Sequence, residues 1–175
     1  EHSMNMLRTS TAEIVMGHLE IKGIEMQNGV INDHGNHKKD FKRFERVISG
    51  HFHKHTDDGQ IYYLGAQYEM TWSDYKDPKA FHIFDTETRE ITKIPNHRTI
   101  HKKIIYDDKK HDYNNFDLTP YNNHFVKLVV LQKTDDEMFD KFLYRCYNEA
   151  TIHDLNIIED FSDIKTSVRD DVLEM

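Results

Sequence analysis

Short β-branched and aromatic runs, each closed by a turn signal, set the pattern of the first half of the chain. Val47-Ile48, just ahead of Gly50, reads as a short buried strand, and Glu13-Ile14-Val15-Met16-Gly17 as an apolar strand that ends in Gly-His. Apolar runs of this length bounded by glycine favour a strand over a helix, and Gly50 would let the chain turn sharply after its strand. Ile24-Glu25-Met26-Gln27 and Val30-Ile31 flank Asn28-Gly29, two positions that tolerate the positive φ a two-residue hairpin needs. Asp58-Gly59 repeats that signal before Ile61-Tyr62-Tyr63-Leu64. Residues 79–85 and 90–94, joined around Asp85-Thr86-Glu87-Thr88, predict a third hairpin, and Pro95-Asn96 then breaks the pattern. The succession of hairpins reads as a single sheet. Phe41 and Phe44 fall at helical spacing in a charged stretch and are expected to point inward.

Beyond residue 97 the pattern changes. Residues 98–106 read as a strand, and 107–120 as a charged, Asn-rich connection without periodicity. Residues 124–131 are strongly β-branched and predict another strand. Thr134-Asp135-Asp136-Glu137 has the form of a capping box with acidic residues in the first helical turn. Met138, Phe139, Phe142, Leu143 and Cys146 then recur at helical spacing, which makes that stripe core. With a strand over 152–158, the unit is β-α-β. The acidic segment 159–175 has weak helical character.

Composition narrows the classes. A chain of 175 residues can bury a core and form one or two small domains. No apolar run reaches the roughly 18 residues of a membrane span, and no leader-like segment is present. The single cysteine, Cys146, excludes an internal disulfide and suits a reducing, cytoplasmic setting. Glu1-His2-Ser3-Met4 reads as a cloning remnant. A formal charge of −8 argues against a purely electrostatic nucleic-acid binder, although local basic patches remain. Lys38, Lys39, Lys42 and Arg43 form one such patch; Arg98, Lys102 and Lys103 form another. A solvated charged face is the plain alternative for both. Most of the 13 histidines stand singly in polar context and read as surface residues.

The chemistry concentrates in two motifs. Gly50-His51-Phe52-His53 sends two imidazoles from a loop directly after a strand, and Gly17-His18 repeats the arrangement upstream. Neutral imidazole is the commonest protein ligand for transition metals. Tyr63-Leu64-Gly65-Ala66-Gln67-Tyr68 follows, and then the aromatic run Phe81-His82-Ile83-Phe84 leading into Asp85-Thr86-Glu87-Thr88. In this order the motifs resemble the SbcD-like double-strand-break repair nucleases, members of the calcineurin-like metallophosphoesterases, and most nearly those of T-even-like phages. Gly65-Ala66-Gln67-Tyr68 departs from the Gly-Ser-Pro-Tyr-like run of bacterial members, which leaves the role of that loop in doubt.

The resemblance implies an α/β fold: the C-terminal part of a calcineurin-like phosphoesterase β-sandwich, followed by a small α+β (β-α-β) capping domain. It divides the chain into a nuclease-domain part over 5–97, a DNA-capping domain over 98–160, and a tail over 161–175 leading to an ATPase-binding region. It assigns His18 and His51 to one metal and His53 to the other, with Mn²⁺ the expected ion and Mg²⁺ an alternative. Such two-metal sites hold their ions about 3.5–4 Å apart to activate water and stabilise the leaving oxygen. The family's early Asp-x-His, Gly-Asp-x-x-Asp/His and Gly-Asn-His ligand motifs would precede Gly17, where this chain has only a short lead. Gly35-Asn36-His37 follows His18 instead and reads as loop. The expectation is therefore a fragment with an incomplete metal site and no certain catalytic residue.

The implied function of the whole protein is a metal-dependent DNA exonuclease/endonuclease subunit. It would dimerise and work with an SbcC-like, SMC-type ATPase in recombination and repair, in the host-cell cytoplasm and away from membranes. Tyr62, Tyr63 and the two basic patches are the candidate DNA contacts. The alternative is a non-catalytic capping and partner-docking module whose histidines hold no metal. A small-molecule phosphatase is a third reading, disfavoured by the β-α-β unit.

Overall fold

The computed structural model describes residues 2–27 and 29–159. The expected tail over 161–175 and the Asn28 half of the first turn signal lie outside the described residues. In chain order the elements are α1 (His2–Thr9), β1 (Ile14–Gly17), β2 (Glu25–Gln27), β3 (Val30–Ile31), β4 (Arg46–Ser49), β5 (Thr56–Asp57) and β6 (Ile61–Tyr63). They continue with β7 (Lys79–Phe84), β8 (Ile91–Asn96), β9 (His101–Asp107), β10 (Phe125–Gln132), α2 (Asp136–Asn148) and β11 (Asp154–Ile158). The chain divides into two compact units, Glu1–Arg98 and Thr99–Met175.

The first unit is built on a four-stranded sheet in the order β1-β4-β6-β5. The strands β1, β4 and β6 run parallel, and β5 closes the edge antiparallel to β6. Val47, Ile48 and Ser49 are all buried, as parallel strands covered on both faces require. Ile21, Ile24, Phe41, Phe44, Val47, Phe52, Ile61 and Tyr63 make the core, so Phe41 and Phe44 do point inward. Each turn signal forms its hairpin: β2 pairs with β3, β5 with β6 and β7 with β8.

Two sequence expectations fail here. The hairpins do not share one sheet: β2–β3 and β7–β8 are each separate two-stranded ribbons, and only β5–β6 joins the main sheet. The main sheet is parallel, and parallel pairing is set by long-range burial that turn residues do not report. Pro95 also fails to end its strand, because it sits within β8 opposite Ala80. Both strands of an isolated ribbon are edges, so a proline without an N–H is accommodated.

The second unit is a three-stranded parallel sheet, β11-β10-β9, with α2 as the crossover between β10 and β11. Phe139, Phe142 and Cys146 of α2 are buried against Ile104, Tyr106, Val126, Leu128 and Val130, with Met138 and Leu143 packed at the margin. The expected apolar stripe is thus the core face of the helix. Its N-cap is Asp135, whose side chain accepts from the Met138 N–H at 2.9 Å. Thr134, the cap that the sequence pattern suggests, is drawn instead to the Asp108 carboxylate through its N–H and its hydroxyl. The segment 107–120 is more than a connection. Tyr113 is 1% exposed, stacks on Tyr106 with ring centroids 4.2 Å apart, and donates its hydroxyl to the Ile105 carbonyl. Aromatic anchors in irregular backbone leave no periodic signature.

Candidate metal-binding edge

The register of β1 on β4 sets the geometry of the site. Gly17 lies opposite Ser49, so the residues that follow on the two strands leave the sheet at the same edge. His18 and His51 emerge there with ring centroids 4.7 Å apart in an edge-to-face arrangement. Ligand sites of parallel sheets form outside the carboxyl ends of the strands, where these histidines stand. Gly50 has no left-handed backbone, and a Cβ there would meet open space, so this turn does not depend on glycine flexibility.

Buried hydroxyls hold the two loops together. The Ser49 hydroxyl accepts from the Leu19 N–H at 3.0 Å, donates to the Leu19 carbonyl at 2.9 Å and accepts from the His51 N–H at 3.3 Å. The Tyr63 hydroxyl donates to the same carbonyl at 2.7 Å and accepts from the Ile21 N–H at 3.1 Å. Burial pushes the Tyr63 phenol up to about 12, so it stays protonated and able to donate. Ser49 and Tyr63 therefore fix the backbone on which both histidines ride, and sequence reading singled out neither for that task. Serine at the end of a hydrophobic strand gives no distinctive signal.

His53 stands apart from this pair. Its Nδ1 lies 3.2 Å from Oδ2 of Asp74, a residue only 2% exposed. Burial by itself would raise the Asp74 carboxyl. The Lys79 ammonium and the Thr71 N–H outweigh it and hold the carboxyl at about 2. Lys79 also bonds Asp77 and the His53 carbonyl, so the buried lysine ties the loop from both sides. Asp74 lies in a turn-rich stretch without periodicity and Lys79 opens β7, so neither carries a signal of this role in the sequence. Gly65 does need to be glycine: its φ is +74°, and a Cβ would lie 2.9 Å from the His55 N.

The other candidates separate into core and surface. Tyr62 and Tyr63 are 6% and 0% exposed, which takes their rings off any surface DNA would reach. Lys38 pairs with Asp58, and Arg43 donates to the Leu7 carbonyl while its guanidinium lies over the Phe44 ring. Lys39, Lys42 and Arg98 are exposed, and Lys102 and Lys103 half-buried on β9. The other histidines are not uniformly on the surface: His101 is 6% exposed, and His55 and His82 pack against Tyr62.

The donor set fits one side of a metal centre. Among the described residues His51 Nδ1 is buried without a hydrogen-bond partner, and two imidazoles in edge contact, one with an orphaned nitrogen, are a donor arrangement suited to a borderline transition-metal ion. Among the described residues no group of three or more His, Cys, Asp or Glu is placed to hold a metal. The structure thus brings His18 and His51 together and leaves His53 to Asp74.

The chain is 33% identical over 166 residues to exonuclease subunit 1 of Enterobacteria phage T4. It resembles a phage exonuclease subunit. The match takes in 94% of this chain, and the chain spans 45% of that relative's length. It bears out the resemblance to the phage nucleases read from the histidine motifs. No family model matches the sequence. Among the described residues no helix is long and apolar enough to cross a membrane.

Proposed function

We propose that this chain is part of a metal-dependent DNA exonuclease/endonuclease subunit that acts in recombination and repair. The observation that carries the reading is the pair His18 and His51, set 4.7 Å apart at the carboxyl ends of two parallel strands. It occurs in a chain one-third identical to a phage exonuclease subunit over nearly its whole length. In this reading His18 and His51 bind one Mn²⁺ and His53 serves a second, with Mg²⁺ as an alternative ion. The metals would supply an activated water and charge neutralisation at the phosphodiester. In this reading the described residues supply only part of each metal's ligand set. Hard ions prefer oxygen donors, so imidazoles alone would hold Mn²⁺ weakly and this chain by itself is expected to be inactive.

The chain's own groups supply positioning. Ser49 and Tyr63 fix the two histidine loops, and the exposed Lys39 and Lys42 offer phosphate contacts. The second unit is the expected DNA-capping piece, and an SbcC-like ATPase and a second copy of the subunit are the expected partners. The test is Mn²⁺-dependent cleavage of linear double-stranded DNA. This chain would be compared with a version extended to the length of the phage relative, with and without His53→Ala. Cleavage by the extended protein alone, lost with His53→Ala, supports the reading. Cleavage that ignores the substitution removes His53 from the metal site, and the absence of histidine-dependent cleavage at either length overturns the reading in favour of a non-catalytic module.

A further inference from the structure

His53 presents its side chain to one acceptor, and the surroundings of that acceptor dictate its protonation. Asp74 Oδ2 accepts from the Met70 N–H at 3.0 Å, the Thr71 N–H at 2.9 Å and the Thr71 hydroxyl at 3.2 Å. Asp74 Oδ1 accepts from the Lys79 ammonium at 2.8 Å. Neither backbone amides nor an ammonium can accept a hydrogen bond, so the Met70 and Thr71 N–H groups and Lys79 require the carboxylate form, to which the Thr71 hydroxyl also donates. A carboxylate can only accept, and the imidazole nitrogen 3.2 Å from Oδ2 must then be the protonated one.

We infer that Asp74 is a positioning residue that locks His53 in the Nδ1–H tautomer and leaves Nε2 as the nitrogen with the free lone pair. The inference rests on the proposed function for its purpose, since a lone pair at Nε2 is what a metal or a phosphoryl proton would use. Its geometry stands independently. Asp74 fixes the ring, and Lys79, whose ammonium donates to the His53 carbonyl at 3.2 Å, fixes the backbone of the same residue. His53 is held at both ends by a single buried ion pair, Lys79 and Asp74 being 2% and 3% exposed in their side chains. A carboxylate on the far nitrogen of a histidine sets its tautomer and ring orientation and raises its basicity as a donor.

The contrast with His51 sharpens the assignment. Among the described residues His51 Nδ1 is buried without a hydrogen-bond partner, so no acceptor there holds it in the Nδ1–H form. His55 offers an internal control, because its Nδ1 lies 2.7 Å from the Tyr63 carbonyl, another acceptor-only group.

The experiment is long-range ¹H–¹⁵N correlation of the histidine rings in this chain, labelled on histidine, at a pH where the imidazoles are neutral. No metal or DNA is present. His53 is expected with a protonated Nδ1 and with Nε2 at the far-downfield position of a bare nitrogen, as for His55. In Asp74→Ala, His53 alone should shift toward the Nε2–H form that free imidazole side chains favour in water, while His55 stays unchanged. A wild-type His53 in the Nε2–H form, or in exchange between the two, overturns the inference without any variant. So does an Asp74→Ala chain in which His53 keeps its tautomer. Where Asp74→Ala loses its dispersed amide spectrum, the wild-type tautomer decides. Because the readout needs neither metal nor cleavage, its failure is distinguishable from failure of the nuclease reading.

Discussion

The two units solve the burial problem in opposite ways. The second closes a parallel sheet with one helix and fills the space with aromatic rings: Tyr106, Tyr113, Phe116, Phe139 and Phe142 form a continuous set of ring contacts. Aromatic pairs of this kind add about 0.5–1.5 kcal/mol each beyond their area. The first unit has strands of two to four residues in its main sheet, and its interior admits Asn32, Ser49, Glu69, Asp74 and Lys79. Most buried polar groups are hydrogen-bonded, and here the bonds of Ser49, Asp74 and Lys79 run to the loops that carry His18, His51 and His53. One unit spends its interior on cohesion, the other on placing side chains.

Removing a ring from the aromatic unit should give the largest effect. Phe142→Ala is expected to destabilise it by about 3–5 kcal/mol. Cys146, the chain's single cysteine, reports the outcome. Burial pushes its thiol up from 9.0 to about 11, so iodoacetamide should label it slowly in the native chain and far faster in the variant. The buried neutral thiol contributes stability that is fully present below pH 9.0 and is lost as pH rises through about 11. Labelling at an unchanged slow rate in Phe142→Ala would deny the ring its place in the core.

Breaking the ion pair of the first unit should cost a similar amount by another route. Lys79→Met leaves Asp74 and Asp77 without their shared cation, and removing one partner of a buried pair costs about 3–5 kcal/mol. Urea unfolding followed at His53 would measure it. Gly35→Ala is smaller. Its φ of +85° and the clash of an added Cβ with the Glu20 carbonyl oxygen predict a loss of about 1–3 kcal/mol, read as a shift in the same urea midpoint. Asp135→Ala removes the cap of α2 and should cost about 1 kcal/mol in thermal unfolding of the second unit.

The same contrast explains what could be read in advance. The second unit announced itself, because α2 repeats its apolar residues at helical spacing and β10 is rich in valine and leucine. In the first unit the hairpins were legible from Asp58-Gly59 and Asn28-Gly29, since turn chemistry is local. Their assembly was not: nothing in those residues says that β1, β4 and β6 pair in parallel. His18 and His51 were found from their position after glycine and strand. The groups that hold them, Ser49 and Tyr63, act through contacts 30 to 44 residues away in sequence. Asp74 and Lys79 are likewise visible only once the loop has folded around His53.

The central claim is that the parallel register of β1 and β4 makes His18 and His51 one binding edge. Its most direct test is to titrate Zn²⁺ into this chain and follow every histidine ring by ¹H–¹⁵N correlation. The account predicts that His18 and His51 shift together, ahead of exposed histidines such as His34 and His37, and that His51→Ala abolishes the response at His18. Perturbation spread evenly over the exposed histidines, or a His18 response that survives His51→Ala, would contradict it.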